Sequence, residues 1–307
     1  MIHELFAKWR RFNSATKLAL VPPAPRPDRH GVAVAAIVKN EARHIAEWAH
    51  FHHQAGIRHL IVYDNGSTDE TVAVLQATLP REALTVIPWR QSIKDARLGR
   101  TLHNQVLAYA HAASNFGEAF RWMAFIDVDE FLVPKQTDCI PAAIAHLDQC
   151  RNVSLPWRLF GTSGHKDPPP GGVLRNYLRC SPPPDGTRRG PYNFKCIVDP
   201  CHLTSLRVHS METDRTDWTC NDRGERARNR DRHHLSFYSV DHLQLNHYFT
   251  RSESELADKM RRGNISNTSV RYTRKVRHLA ERIERKTGED RAVLDFLDRL
   301  GTPHERT

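Results

Sequence analysis

The stretch VAVAAIVKNEARHIAEWAHFHHQAGIRHLIVYDNGSTDET, residues 32–71, holds two apolar runs on either side of a helical pattern. The first run, 32–38, is continuously apolar, as is typical of a strand buried on both faces. Residues 41–55 then carry apolar side chains at helical spacing, and Gly56 marks the end of that helix. A second apolar run follows at 59–64. This succession predicts two neighbouring parallel strands joined by a helix.

The same alternation continues towards the C-terminus. Ser67 and Glu70 have the spacing of a capping box, which predicts the start of a second helix. Further strands are predicted at 84–89 and 122–128, with a helix over 99–114 between them. Strands that alternate with helices predict an α/β fold with a mixed, mostly parallel central sheet flanked by helices.

The second half of the chain has a different character. Two loops rich in Pro and Gly, 161–172 and 181–190, separate short strand-like pieces, so we expect mixed or antiparallel pairing there. From Ser252 onward the pattern is helical again, and Glu255 completes a second capping box. The basic stretch 221–234 holds five arginines and three acidic residues, which indicates a solvated or mobile loop.

The composition indicates which kinds of partner the protein could bind, but not which reaction, if any, it catalyses. The chain has 307 residues and a formal net charge of +10, which favours anionic partners such as nucleotides, sugar phosphates or an anionic membrane surface. No apolar run is long enough for a membrane span, and residues 1–20, basic and mildly amphipathic, have no secretory h-region. We expect an ordinary helix there, with contact to an anionic membrane as the alternative. No nucleic-acid recognition motif accompanies the charge, so no nucleic-acid partner is expected.

Six cysteines occur, none of them in a C-x-x-C pair. Six in a chain of this length do not make a disulfide scaffold, so we expect reduced thiols and a cytoplasmic protein. A zinc site built from Cys196, Cys201, Cys220, His202 and His209 is an alternative, although the spacings match no standard zinc finger.

The pair Asp127 and Asp129 follows the predicted fourth strand. In an extended chain both side chains point to one side, and two close carboxylates repel each other unless a cation lies beside them. Oxygen ligands of this kind suit Mg²⁺ or Mn²⁺. The structural alternative is that one aspartate caps the next element while the other pairs with an arginine. Glu130 has no assigned role: it supports the site or pairs with an arginine.

Polar residues also follow the first two strands. In parallel sheets ligands collect at the C-terminal strand ends. Asn40 and Glu41 follow the first strand, whereas Asp64 and Asn65 end the second. Caps and a tight turn explain most of these residues equally well.

Together these motifs resemble the glycosyltransferases of the GT-A fold, in particular a bacterial branch of family-2-like enzymes similar to glycosyltransferase family 92. The resemblance covers roughly residues 32–263 and includes WRLFGTSGH, FKCIVDP and LNHYFTRSESELADKMRRG. It implies three parts: an N-terminal helix and Pro-rich linker (1–30), a GT-A domain (31–250) and a C-terminal helical segment (251–307). Within the domain, 31–134 would form the nucleotide-sugar half and 135–250 the acceptor half.

The resemblance also implies the ligands and their residues. The donor would be a nucleoside-diphosphate sugar, with Mn²⁺ or Mg²⁺ held by Asp127, Asp129 and His247, and His209 as a second-choice contact. The implied donor-binding residues are Lys39, Asn40, Glu41, Asp64, Asn65, Asp127 and Lys195. Asn65 departs from the commoner acidic residue of the family-2 pattern, which leaves the base of the nucleotide open.

The implied reaction is attack of an acceptor hydroxyl on the anomeric carbon, with inversion, for which a carboxylate base is needed. Asp167 and Glu212 are the candidates, and each is alternatively a solvated loop carboxylate. The acceptor would be a saccharide or glycolipid in cell-surface or extracellular polysaccharide synthesis, with the enzyme cytoplasmic or peripheral at the inner face of the membrane.

Two other functions are possible for these motifs. A D-x-D phosphohydrolase uses the pair as nucleophile and acid, but it usually carries the pair on the first strand, whereas here it follows the fourth. A nucleic-acid binder would explain the net charge, but the acidic strand ends oppose it.

Overall fold

The computed structural model describes residues 16–97, 99–185, 193–262, 270–285 and 288–301. Its strands are β1 (Leu18–Ala19), β2 (Val32–Val38), β3 (His59–Asp64), β4 (Leu84–Pro88), β5 (Trp122–Phe125), β6 (Glu130–Pro134), β7 (Asn152–Leu159), β8 (Arg179–Cys180), β9 (Phe194–Val198), β10 (Leu203–Leu206), β11 (Met211–Thr213), β12 (Trp218–Cys220), β13 (Arg226–Arg228), β14 (Leu243–His247) and β15 (Gly288–Glu289). Its helices are α1 (Ile45–Gln54), α2 (Thr71–Thr78), α3 (Asn104–Phe116), α4 (Ile140–Ala143), α5 (Val173–Asn176), α6 (Glu253–Arg262), α7 (Val270–Arg285) and α8 (Ala292–Arg299).

A mixed sheet of ten strands forms the centre of the molecule, in the order β13-β12-β7-β9-β5-β2-β3-β4, with β14 joining β7 to β6. The four strands β4, β3, β2 and β5 are parallel to one another. Strand β9 runs antiparallel between β5 and β7, so the second half of the sheet is mixed. The predicted α/β class, with a mixed and largely parallel sheet, is confirmed.

Strand β2 is buried on both faces, as its apolar sequence predicts. Val34 and Ala36 pack in the core that includes α1, whereas Ala33 and Ala35 pack in the core that includes α3. On the α1 side, the Trp48 indole donates a hydrogen bond to the carbonyl of Glu130, at 2.9 Å. This bond fixes the first residue of β6, which directly follows Asp127 and Asp129, the D-x-D pair.

Some predicted boundaries differ from the observed ones. Strand β5 ends at Phe125, so Asp127 and Asp129 lie in the turn between β5 and β6 and not in an extended strand. The predicted capping box of Ser67 and Glu70 is wrong, because the Ser67 hydroxyl accepts from the Asn40 N–H instead, at 3.0 Å. A polar contact between the ends of two strands takes the place of the local cap.

The C-terminal part is helical as predicted. The second capping box is present: the Ser252 N–H donates to the Glu255 carboxylate at 3.0 Å, and the Glu255 N–H donates to the Ser252 hydroxyl at 3.3 Å. Helix α8 packs against the main core through Phe296, whose ring lies 5.6 Å from that of Phe51. The division into domains stays a prediction.

The basic stretch 221–234 is more ordered than predicted. Residues 226–228 form β13, and Arg232 is 6% exposed. Its guanidinium donates to the Ser154 hydroxyl at 2.8 Å and to the His209 carbonyl at 3.0 Å. These hydrogen bonds, which the sequence pattern does not reveal, compensate for the burial of the charge.

The prediction that all cysteines are reduced is wrong, because Cys150 and Cys220 form a disulfide. It joins the chain before β7 to β12, and it removes Cys220 from the alternative zinc set. Disulfides are typical of oxidising compartments, whereas the predicted cytoplasmic location, which stays a prediction, would favour the reduced thiols. Within the described residues no helix has the length and apolar character to cross a membrane. Residues 1–15 of the predicted N-terminal helix lie outside the described residues. Its last part is not helical, because Leu18–Ala19 forms β1 and pairs with β10.

Replacing both Cys150 and Cys220 by serine should lower the free energy of unfolding by about 4 kcal/mol, because the bridge closes a loop across a sequence separation of 70 residues. Denaturant unfolding with and without a thiol reductant measures this. Reductant should destabilise the wild type and the Cys139→Ser control, whose thiol is free, but not the double variant. A wild type that is insensitive to reductant would contradict the bridge.

Candidate active site

The ends of β2 and β3 are tied together by side chains. Asn40 adopts a left-handed conformation, with φ of 55°, which asparagine tolerates better than most residues. Its side-chain oxygen accepts from the Thr68 N–H at 2.8 Å, and its own N–H donates to Ser67. The turn after β2 and the turn after β3 therefore form one polar surface.

Three further predicted residues complete this surface, which we call the β2–β3 cluster (Asn40, Glu41, Asp64 and Asn65). The Asp64 carboxylate accepts from the Ser67 N–H at 3.0 Å. The Asn65 side-chain oxygen accepts from the Asn104 amide at 3.0 Å. The Glu41 carboxylate lies 3.4 Å from the Arg251 guanidinium. Lys39 is exposed beside them.

A second group, the acid–lysine cluster, consists of Asp127, Asp129, Glu130, Lys195, His247 and Lys259. At its centre Lys195 is wholly buried on β9. Its ammonium is 2.8 Å from the Asp127 carboxylate and 3.5 Å from that of Glu130. Burial alone would lower the pKa of Lys195, but the two carboxylates hold it well above its usual value. Lys195 is therefore a permanent cation beneath the D-x-D turn.

The two carboxylates beside Lys195 differ in environment. Asp127 is 34% exposed and also accepts from the Gln105 amide at 2.6 Å. Burial would raise the pKa of Asp127, but Lys195 holds it below its ordinary value. Glu130 is wholly buried, and burial raises its pKa well above the ordinary value although Lys195 opposes the rise. The Glu130 carboxylate accepts from the Asp127 N–H at 2.8 Å, so it braces the turn from below.

Asp129 contacts a different cation. One of its carboxylate oxygens lies 3.1 Å from the Lys259 ammonium and 3.3 Å from His247 Nε2. Burial would raise the pKa of Asp129, but Lys259 and His247 hold it well below the ordinary value. Burial lowers the pKa of His247, whose ring packs 4.2 Å from that of Trp157. Asp129 is thus ionised beside an imidazole whose burial disfavours the charged form.

The two clusters are adjacent, because two neighbouring residues of α3 reach one each. Asn104 donates to Asn65 in the β2–β3 cluster, and Gln105 donates to Asp127 in the acid–lysine cluster. The segment 251–259 also contacts both clusters, since Arg251 pairs with Glu41 and Lys259 pairs with Asp129. The structure therefore brings the predicted donor and metal residues to one edge of the sheet.

The donor set for a metal is suitable in its chemistry. Carboxylate oxygens and an imidazole suit Mn²⁺, and oxygens alone suit Mg²⁺. His247 Nδ1 and Glu130 Oε1 are buried, lack a hydrogen-bond partner, and lie 3.9 Å apart. Both atoms are therefore available for a further polar contact. In the part of the chain that the structure describes, however, no three acidic, His or Cys side chains converge as a metal site. Lys195 and Lys259 hold the aspartates instead.

The base candidates lie elsewhere. Asp167 is exposed on a loop next to α6. The backbone carbonyls of the two preceding residues, His165 and Lys166, accept hydrogen bonds from N–H groups at the start of α6. Glu212 lies on β11 and pairs with Lys17 at 2.7 Å, an ion pair that accounts for its charge without a catalytic role. His209, the second-choice metal contact, has a pKa lowered to about 4 by burial, and its Nδ1 is 3.1 Å from the Phe194 carbonyl.

Sequence reasoning missed three residues at this site: Gln105, Arg251 and Lys259. Of the two alternatives for Glu130, support of the site is the one observed, through the Asp127 N–H. Gln105 had a usable signal, since it lies in the first turn of α3, at the same sheet edge as the D-x-D turn. Lys259 and Arg251 lie in the stretch LNHYFTRSESELADKMRRG, which carried the resemblance without a role for either cation. Their contacts depend on how α6 docks, which no local pattern specifies.

Ionised carboxylates, a buried lysine and polar strand ends at one edge of a parallel sheet define an α/β protein of the kind that binds a charged ligand there. The sequence profile of glycosyltransferase family 92 matches residues 29–287. The chain belongs to glycosyltransferase family 92, and the predicted resemblance is confirmed.

Family 92 proteins of plants are similar to much of the chain. A family 92 protein of Oryza sativa subsp. japonica is 28% identical over 196 residues, and one of Ricinus communis is 27% identical over 187 residues. These alignments cover 58% and 59% of this chain but only 30% of each relative. The chain thus spans under a third of the length of the relatives it matches.

Solved structures show partial similarity. A mannosyltransferase of Pyrobaculum calidifontis, in complex with GDP-Man and Mn²⁺, is 24% identical with a TM-score of 0.31, covering 49% of this chain and 42% of its own. Glucosyl-3-phosphoglycerate synthase of Mycobacterium tuberculosis, in complex with Mn²⁺ and UDP, is 18% identical with a TM-score of 0.27, covering 42% of this chain and 44% of its own.

Lys195→Met should lower the free energy of unfolding by about 3–5 kcal/mol, because it leaves two carboxylates beside an apolar side chain. Glu130→Gln should cost less than about 1 kcal/mol near pH 5, because the raised pKa of Glu130 favours its neutral form, which glutamine resembles in shape and charge. Denaturant unfolding of both variants measures the difference.

The comparison also has a predicted pH dependence. A carboxyl whose pKa is raised on folding stabilises the protein fully below its unfolded pKa, and this contribution is lost as pH rises towards the folded pKa. The stability of Glu130→Gln relative to wild type should therefore rise as pH increases from about 4.5. A constant difference across this range would contradict the raised pKa.

Proposed function

We propose that this protein transfers a sugar from a nucleoside-diphosphate sugar to an acceptor hydroxyl, with a divalent metal ion at the D-x-D turn. The observation that carries the proposal is the bridging of two clusters by Asn104 and Gln105. It puts an ionised acidic pair beside the β2–β3 cluster, at the sheet edge where α/β proteins bind nucleotides.

Each cluster has chemistry for one part of such a donor. Glu41 and Asp64 present carboxylates that can accept from ribose hydroxyls or a base N–H. Asp129 and the exposed part of Asp127 present oxygens for the cation that accompanies a diphosphate. Mn²⁺ or Mg²⁺ bound there would neutralise charge that builds on the leaving diphosphate.

The residues of this chain orient that site. Lys195 holds Asp127 ionised, and Glu130 fixes the backbone of the turn through the Asp127 N–H. Because Lys195 is wholly buried, it positions Asp127 and does not extend to a diphosphate, which revises its predicted role. Lys259 and Arg251, both partly exposed, lie closer to the open edge.

The acceptor side is less defined. A base that removes the hydroxyl proton must lie within hydrogen-bond reach of the acceptor. Between the two candidates, Asp167 is the one we retain, since it is exposed near the start of α6 while Glu212 is paired with Lys17. Inversion, a saccharide or glycolipid acceptor in polysaccharide synthesis, and a peripheral contact with the inner membrane face belong to the same proposal.

Asp127→Asn and Asp129→Asn should each reduce transfer at least roughly a hundredfold, because each removes a charge that faces the diphosphate and its ion. The assay incubates the full chain with a panel of UDP- and GDP-sugars, Mn²⁺ and mixed saccharide acceptors, and measures nucleoside diphosphate release. Asp28→Asn is the control, since Asp28 is exposed and precedes β2 at the opposite end of that strand. It should keep full activity.

Three outcomes would count against the proposal. Equal activity with and without a chelator would refute the metal dependence of the transfer. Wild-type rates in both aspartate variants would refute the site. Release of phosphate from simple esters, with no nucleoside diphosphate release, would favour the D-x-D phosphohydrolase instead.

A further inference from the structure

The Lys259 ammonium contacts the carboxylate oxygen that the proposed metal would use. It lies 3.1 Å from Asp129 Oδ2, the same oxygen that His247 Nε2 approaches at 3.3 Å. It also donates to the Phe249 carbonyl at 3.0 Å and lies 4.2 Å from the Phe249 ring centroid. Lys259 is therefore placed by three groups and not by one surface ion pair.

A divalent ion and this ammonium cannot share Asp129 without a large cost. Two cations held by the same carboxylate oxygen would be a few ångströms apart, and repulsion at that distance is strong where water is largely excluded. The Asp129 side chain is only 19% exposed, so solvent screens the pair poorly. A divalent ion on this oxygen would therefore compete with the ammonium.

The surroundings allow the ammonium to leave without loss of the helix. The start of α6 is held separately, by the Ser252–Glu255 capping box and by the 2.6 Å contact of Glu255 with His44 Nε2. Lys259 lies further along the helix, is 28% exposed, and has a long flexible side chain. A rotation of this side chain would separate the ammonium from Asp129 while leaving the start of α6 held by Ser252, Glu255 and His44.

We infer that Lys259 is a resident counter-ion of Asp129 that a divalent metal displaces, so that Lys259 sets the metal affinity of the donor-free protein. The inference rests on the proposed function for the metal at Asp129. It differs from the role of Lys195, whose burial leaves it no exit to solvent.

Titration calorimetry with Mn²⁺ alone, without nucleotide, tests the inference on the full chain. Lys259→Met should bind Mn²⁺ at least about tenfold more tightly than wild type, because no ammonium has to be displaced. Arg261→Met is the matched control: it removes one positive charge from the same helix, where Arg261 is exposed and pairs with Asp258. It should bind Mn²⁺ with wild-type affinity.

Thermal unfolding gives a second readout. Without metal, Lys259→Met should have a lower melting temperature than wild type, because Asp129 loses its cation. Saturating Mn²⁺ should raise the melting temperature of Lys259→Met more than it raises that of wild type. Lys259→Gln, which keeps a polar side chain, serves if the Met variant does not fold, and the same tighter binding is expected of it.

The outcomes separate this inference from the proposed function. Equal Mn²⁺ affinity in wild type and Lys259→Met, with binding lost in Asp129→Asn, would overturn the counter-ion role and leave the metal site intact. Equal tightening in Lys259→Met and Arg261→Met would overturn it as well, since general charge would then be the cause. If none of these proteins binds Mn²⁺, the inference and the proposed metal site both fail.

Discussion

The ion pair of buried Lys195 with Asp127 and Glu130 is the interaction on which the site depends. Burying the Lys195 ammonium costs several kcal/mol unless nearby carboxyl groups compensate its charge. Here they do so across a strand junction: Lys195 comes from β9, and the carboxylates flank the turn from β5 to β6. The antiparallel insertion of β9 beside β5 is what places that cation under the turn.

From this centre, contacts extend to both sides of the proposed crevice. Gln105 joins Asp127 to α3, whose preceding residue, Asn104, reaches the end of β3. On the other side, Asp129 joins β14 through His247 and α6 through Lys259. Elements far apart in sequence thus meet at one turn, and a change in the turn would alter contacts in both clusters.

The sequence predicted the sheet well because its strands are marked by their own composition. The apolar run at 32–38 and the run ending at Asp64 specify buried strands without reference to the rest of the chain. Residues whose environment depends on tertiary packing were not predictable. The sequence pattern predicts Arg232 to be one solvated arginine among several, but it is buried and donates to Ser154. Cys220 is predicted to be a free thiol, but it forms a disulfide with Cys150. In each case the partner is distant in sequence and no local period encodes it.

The same distinction separates the two lysines of the site. Lys195 lies in an apolar strand, FKCIV, where a charge signals a buried partner, and its position was recognised from the sequence although its role was not. Lys259 lies among exposed charges of an amphipathic helix, where one more cation carries no signal. Their burial also separates what they can do. A lysine with no exposed surface is a fixed part of the site, whereas one that is 28% exposed can exchange its carboxylate for water. The proposed metal site would use both kinds: one charge that keeps the turn in place and one that can leave it.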